Sequence, residues 1–402
     1  MNARPTTTLD LSDPVVSADP YAALAAERAA HAVAWHEGEG RWLTFTHAAT
    51  SAVLRNRGLG RLWIDHEPAA RMEPFNLLHR HQMMENEPPE HTRLRRAVAS
   101  AFTRGHVERL GPRVEALADR LLDEALTEGR TGGGFDAVAA YAEPLPVLMI
   151  ADLLGVPAAR ADDLRAWSQA IVAMYEPAPD EQVRAAAVAA AEEFAAMVAE
   201  LAAERSRSPQ EDLVSDLVAD GSLTEQEVIA SVVLLLNAGH EASVNALGNG
   251  LVTMLAAGGT LADAVGEHSA EAVVEEMLRV DAPLQLFERT ATRDVEVGGV
   301  VVAQGEKVAA LLGAAHRDPT AYADPDVFRP GREGPAHLAF GVGLHHCVGS
   351  PLARLELTTA LRTLLRRAPH LRLHGEPGRR PGFVLRGYAS VPVTAGPAAT
   401  SG

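Results

Sequence analysis

Apolar residues recur at helical spacing in block after block through the middle of the chain, roughly residues 90–280. The strongest block opens on Thr224-Glu-Gln-Glu227, where a threonine and a glutamate three residues on form a capping-box pattern. The apolar run that follows, VIASVVLLLNAGHEASVNALGNGLVTMLAAGG, ends in a glycine pair suited to a helix stop. It predicts one helix of about thirty residues, long enough at about 1.5 Å per residue to cross a whole domain. A second helix is predicted by the alanine-rich run at 185–204. Strand signals are weaker and lie in WLTFT (42–46), VEVGGVVVAQGEKVAAL (295–311) and FVLRGYASVPV (383–393). The pattern predicts a mainly α chain with small β-sheets (α+β), in a single domain over 21–394. Residues 1–20 read as an N-terminal surface segment, 395–402 as a tail, and RSRSPQED (205–212) as a loose linker. No solenoid-type repeat is evident.

Composition narrows this picture. Of 402 residues, 47% are hydrophobic, enough for a substantial core and too many for a disordered chain. The single cysteine excludes a disulfide framework and any multi-cysteine zinc site, which fits a reducing cytoplasm. The N-terminus lacks a basic segment followed by an apolar one, and no window approaches 18 uninterrupted apolar residues. A cytoplasmic protein without a membrane span is therefore expected. A formal charge of −17 argues against a general nucleic-acid binder.

The one cysteine lies in HLAFGVGLHHCVGSPLARLEL (337–357). A loop punctuated by Gly341 and Gly343 leads to Cys347, and a helix is predicted directly after it. A thiolate there would meet free backbone N–H donors at the positive end of a helix dipole. Most lone cysteines are simply buried and inert. The spacing points elsewhere: Phe340-Gly341-x-Gly-x-His345-x-Cys347-x-Gly349 resembles the haem-binding signature of the cytochrome P450 superfamily, of the soluble bacterial type found in actinomycete secondary metabolism. The resemblance implies the cytochrome P450 fold, a triangular helical prism around a long central helix. It also implies haem b (iron protoporphyrin IX) with Cys347 as the axial ligand of the iron. His345 would pair with a haem propionate, with Phe340 and Gly341 packed beneath the ring.

Other segments extend the resemblance over nearly everything from about residue 20 to 393. Glu276-Met-Leu-Arg279 resembles the family's Glu-x-x-Arg motif, and Arg332 in FRPGR falls where the third member of that charge cluster is expected. Positions i and i+3 of a helix share a face, so the pair can form, although such pairs on solvated faces are common. In EPPEHTRLRR (87–96), His91 and Arg95 lie four apart on one helical face, suited to gripping an anion. The resemblance implies that both, with Arg289, contact the haem propionates.

Within the predicted long helix, Ala238-Gly239-His240-Glu241-Ala242-Ser243 resembles the family's oxygen-activation motif. Ala238 and Ala242 are one turn apart and leave room for O2. Glu241 is an acid in an apolar stretch, which demands a partner or a function. The family usually has a threonine at 242, whose hydroxyl helps deliver protons, and this chain has alanine. Ser243 is turned about 100° away, and a back-bond to its own helix is the simpler expectation for it. Glu241 acting through ordered water, completed by a hydroxyl or amide of the substrate, is the proton route then expected. A few macrolide-precursor hydroxylases of the family look similar here, with Glu-Ala-Ser.

Substrate contacts are expected from the 60–85 loop, Trp167, Met174, Tyr175, Leu235, the 284–287 segment and Tyr388. His79 and His81 are expected on a solvated loop, since no acid or cysteine accompanies them as metal ligands. Arg93, Arg96 and Arg104 form a basic patch suited to an acidic ferredoxin. The leading expectation is a monomeric monooxygenase that takes O2 and electrons from a ferredoxin and ferredoxin reductase. It would hydroxylate or epoxidise a natural product, macrolide/polyketide- or peptide-like. The alternatives are oxidative C–C, C–O or C–N coupling without oxygen insertion, a non-catalytic haem ligand-binding protein, and a non-haem helical protein.

Overall fold

A computed structural model describes residues 4–176 and 179–396, with the side chains of 130–132 left out; of the expected terminal segments 1–20 and 395–402, residues 1–3 and 397–402 lie outside it. Helices dominate, with small sheets between and around them, as the periodicity predicts.

The central helix runs Glu225–Leu255. Its start is the predicted capping box: Glu227 N donates to Thr224 Oγ1 at 3.3 Å, and Thr224 N donates to Glu227 Oε2 at 2.9 Å. This helix is long and apolar enough to span a bilayer, yet 83% of its most apolar window is buried inside the molecule. An all-round apolar helix is what a protein core requires, and that is its place here. The alanine-rich run lies in the helix Glu181–Arg207, capped by Asp180, which accepts from Val183 N at 2.8 Å.

The linker predicted at 205–212 is not loose. Arg205, in the last turn of the alanine-rich helix, donates through Nε to Asp212 Oδ2 at 2.6 Å, with both side chains buried. Asp212 in turn caps the helix Leu213–Asp220 through Ser215 N at 2.7 Å. Polar composition suggested solvent, but the charges are used on each other.

The chain forms two compact units, one of Met1–Leu59, Leu110–Leu145 and Ala242–Gly402, the other of Gly60–Arg109 and Pro146–Glu241. The first holds the main sheet up to Leu59 of its edge strand, in spatial order Thr6–Thr7, Val33–His36, Arg41–Thr44, Lys307–Leu311, Leu286–Ala291 and Leu59–Gly60. Both of its faces are buried. Trp42, Val308 and Ala310 enter one apolar cluster, while Leu43, Ala309 and Leu311 enter another, the alternation that a strand's two-residue period imposes. The predicted 295–311 segment is a hairpin, Val295–Val297 with Val300–Val302, followed by the strand Lys307–Leu311. Its turn residues Gly298 and Gly299 have φ of 56° and 84°, which a side chain resists. Within 383–393 only Tyr388–Ser390 and part of Pro392–Thr394 pair as strands.

Candidate haem and oxygen-activation site

The cysteine loop of the first unit is held by its own backbone. Gly341 N donates to Leu338 O at 2.8 Å, and Cys347 N reaches back to Phe340 O at 2.9 Å. Gly341 and Gly343 have φ of 63° and 81°; at Gly343 a Cβ would stand 2.6 Å from Leu54 O, so only glycine fits against that neighbouring helix end. The helix Ser350–Arg367 begins three residues after Cys347, as expected. Cys347 itself is exposed, so it is not the buried, inert thiol that most lone cysteines become.

A histidine outside the motif anchors this loop. The fully buried His316 accepts the Leu338 N–H at Nε2, 2.8 Å away, while its carbonyl accepts from Arg279 Nη1 at 2.6 Å. Burial holds its pKa well below the ordinary value, so the ring is neutral and Nε2 is free to accept. No sequence pattern singled it out, because one histidine on a short helix carries no spacing signal.

The charge cluster predicted around Glu276 forms in full. Arg279 donates to both Glu276 oxygens at 2.8 Å, and Arg332 Nε reaches them at 3.1 and 3.0 Å. These are buried charges rather than a solvated helix face. Through Arg279 and His316, the cluster connects the helix Ala270–Val280 with the start of the cysteine loop. The Phe340 ring lies under the Arg354 guanidinium at 4.5 Å, and Arg354 pairs with Glu275 at 2.6 Å. Arg289 is buried on the strand Leu286–Ala291, where Nη1 donates to Glu288 O at 2.8 Å. That strand adjoins the loop: a Cβ on Gly341 would come within 3.7 Å of Phe287. His345 is half-buried in the loop, two residues before Cys347.

In the second unit, the helix Glu90–Ala99 carries His91, buried, and Arg95, half-buried, one turn apart. Arg93 is not a free surface cation. It donates to Glu90 at 2.7 Å and to Glu227 at 3.1 Å, tying this helix to the capping box of the central helix. The Arg93 contact, more than any other, lowers the Glu227 carboxyl to a pKa of about 2. Arg104 is likewise paired, with Glu108 at 2.8 Å, which leaves Arg96 as the exposed cation of the predicted patch.

From Leu234 to Leu247 the central helix is buried except at Ala238, Gly239 and Ala242. Ala238 is exposed in mid-helix and Ala242 half-exposed one turn on, so small side chains border open space on one face. Gly239 has another task as well, because a Cβ there would press on Ile150 at 3.2 Å. Glu241 is buried, its Oε1 3.6 Å from Nδ1 of the buried His240. Ser243 is buried, and the expected back-bond to its own helix is absent among the described residues.

Of the segments expected to touch substrate, the 60–85 stretch departs most from expectation. It holds the helix Ala69–Arg80, and His79 is buried rather than solvated. Its ring stacks on those of both Trp63 and Phe75, with centroids 4.6 and 4.1 Å away. The i, i+4 spacing of Phe75 and His79 brings the two rings together, and polar composition hid this.

Residues 269–378 match the family model described as Cytochrome P450. The chain is 36% identical over 390 residues to the cytochrome P450 monooxygenase PikC of Streptomyces venezuelae, across 94% of this chain and 91% of that protein. This chain belongs to the cytochrome P450 family. It is also 35% identical over 370 residues to the mycinamicin IV hydroxylase/epoxidase of Micromonospora griseorubida, across 89% of this chain and 90% of that protein. Among solved structures, P450BioI in complex with hexadec-9Z-enoic acid ligated acyl carrier protein matches with a TM-score of 0.89 at 31% identity. The match covers 94% of this chain and 99% of that one.

As a cytochrome P450 with the family's fold, the protein is an oxidoreductase of the monooxygenase type with an iron-haem cofactor, a small-molecule substrate and a redox partner. Its residues fit that cofactor. A P450 needs an accessible thiol on a stiff loop and a helix face clear of bulk, and these are what Cys347 and the Ala238–Ala242 face present. Among the described residues no group of three or more histidine, cysteine, aspartate or glutamate side chains is placed to hold a bare metal ion.

Proposed function

We propose that this P450 hydroxylates or epoxidises a natural product, macrolide/polyketide- or peptide-like, with electrons supplied by a ferredoxin and its reductase. The observation that carries the reading is the exposed thiol of Cys347, held in a hydrogen-bonded glycine loop. The hydroxylase/epoxidase name of a relative along nearly its whole length supports the choice of reaction.

In this reading the cofactor is haem b, whose iron the Cys347 thiolate would hold. Arg289, His345, His91 and Arg95 would address its propionates, and Phe340, Gly341, Ala238 and Gly239 would pack against it. When bound, the haem activates O2 so that one oxygen atom enters the substrate. The protein acts as a cytoplasmic monomer, and residues 21–394 serve as one haem domain. The experiment has two arms. The reduced carbon monoxide complex should show the red-shifted absorption of thiolate ligation. Product mass should rise by one oxygen atom; loss of two hydrogens instead indicates oxidative coupling and overturns the monooxygenation assignment.

Proton delivery falls to Glu241. Ala242 has no hydroxyl, and Ser243 is turned off the open face into the core. The Glu241 carboxyl passes protons through ordered water that a hydroxyl or amide of the substrate completes. Ala242→Thr should therefore leave turnover per NAD(P)H on the native substrate unchanged or lower; a marked rise sinks the substrate-assisted route.

Ferredoxin docks on the exposed Arg96, the one arginine of the predicted patch without a carboxylate partner among the described residues. Arg96→Glu should slow reduction by ferredoxin, more so at low salt, with substrate affinity unchanged. Reduction at the wild-type rate excludes the site.

A further inference from the structure

A small cleft in the second unit is lined by Gln82, His79, Tyr175, Val233, Leu234 and Asn237. It has room for a single water-sized group, about 10 Å³, so it admits one hydroxyl-sized end of a larger molecule rather than a whole ligand.

Most of the wall is apolar, and the polar atoms in it are unusual. Gln82 Oε1 and Asn237 Oδ1 are buried and accept no hydrogen bond among the described residues. Their side chains belong to residues only 3% and 6% exposed. A buried amide oxygen without a donor is costly, and two in one cleft ask for a ligand that supplies donors.

The third oxygen follows from the histidine. His79 Nδ1 lies 2.8 Å from Phe75 O, so that nitrogen carries the proton and donates. Burial, above all, lowers the His79 pKa to about 4, leaving Nε2 a lone pair at neutral pH. The Tyr175 hydroxyl, 3.2 Å away, donates to Nε2 and keeps only lone pairs for the cleft. Gln82, Asn237 and Tyr175 thus each offer an acceptor.

The cleft also has a defined place on the central helix. Leu234 is one turn before Ala238, and Asn237 immediately precedes it, so the cleft and Ala238 are neighbours along the helix. We propose that Gln82, Asn237 and Tyr175 form a specificity subsite that takes a hydroxyl group carried on an otherwise apolar substrate skeleton, its single O–H shared among the three acceptors. Holding the hydroxyl there sets the substrate's register along the helix, so its distance from the oxidised carbon decides regiochemistry. This rests on the reading of the Ala238–Ala242 face as the reacting side.

The test uses the holoenzyme and two probes of equal chain length, decane-1,10-diol and 1,10-dimethoxydecane. The second keeps the oxygens and lacks the donors. Binding is followed by tryptophan fluorescence, since Trp63 stacks on His79, and separately by the haem absorption. The wild type should bind the diol at least about tenfold more tightly, the worth of a good buried hydrogen bond. Gln82→Leu and Asn237→Leu should each shrink that preference, and the double variant should bring it near parity. Equal binding of the two probes, no binding of the diol, or a preference that survives in the double variant overturns the subsite. If fluorescence shows the preference while the carbon monoxide complex lacks its red-shifted band, the thiolate reading fails and the subsite stands.

Discussion

Cys347→Ser yields a folded protein whose reduced carbon monoxide complex has lost its red-shifted absorption and whose monooxygenase turnover has collapsed. The loss should exceed about 100-fold, the upper range for removing a mere outer partner of a metal ligand. Serine is nearly isosteric, and the side chain is exposed, so packing loses little. The loop should keep its shape, because Cys347 N–H to Phe340 O, Gly341 N–H to Leu338 O and Leu338 N–H to His316 are all backbone-donated bonds. What goes is the thiolate's donation of electron density, which an alcohol with a far higher pKa does not replace. Circular dichroism and the carbon monoxide difference spectrum, taken together, check this. An unchanged red-shifted band in the serine variant would falsify the assignment of Cys347.

Glu276→Ala should be the most destabilising single substitution outside the apolar core. Its carboxylate accepts from Arg279 and Arg332, and the substitution leaves both guanidinium groups without that counter-charge. Breaking a buried pair from one side costs about 3–5 kcal/mol, because the surviving charge cannot regain water. Arg279 is only 2% exposed, which puts it in that regime. Glu271→Ala on the same helix is the control. The Glu271 and Arg362 side chains are 56% and 59% exposed, and such pairs contribute less than about 1 kcal/mol. Urea midpoints of the two variants check the contrast, and equal shifts contradict the structural role of the cluster. Glu276→Ala should also loosen haem, since Arg279 holds His316, and His316 holds Leu338 at the start of the cysteine loop.

Local physics was legible in the chain. The capping box at Thr224, the thirty-residue central helix and the helix after Cys347 follow from propensity and spacing, which act within a few residues. The Glu276–Arg279 pair was legible as a shared helix face, and its burial was not. An i, i+3 pair looks the same in sequence whether water or protein surrounds it.

The misreadings have one cause. Residues 205–212 look like a linker, and 79–81 look like a wet loop, because both are polar. Polarity marks exposure only where no partner waits elsewhere in the chain. Asp212 reaches Arg205, and His79 finds Trp63, Phe75 and Tyr175, the last of these 96 positions away. Arg93 likewise spends its charge on Glu227, 134 positions on, which local spacing cannot foresee.

The sequence by itself determined the family, the lone thiol in its glycine loop and the missing hydroxyl at 242, since each is a matter of residue type and short spacing. Only the tertiary structure decided which charges are buried, that His316 anchors the loop, and that Gln82 and Asn237 share one cleft with Tyr175. Those facts depend on water being excluded by elements distant in the chain. Burial turns an ordinary polar side chain into a costly or a functional one.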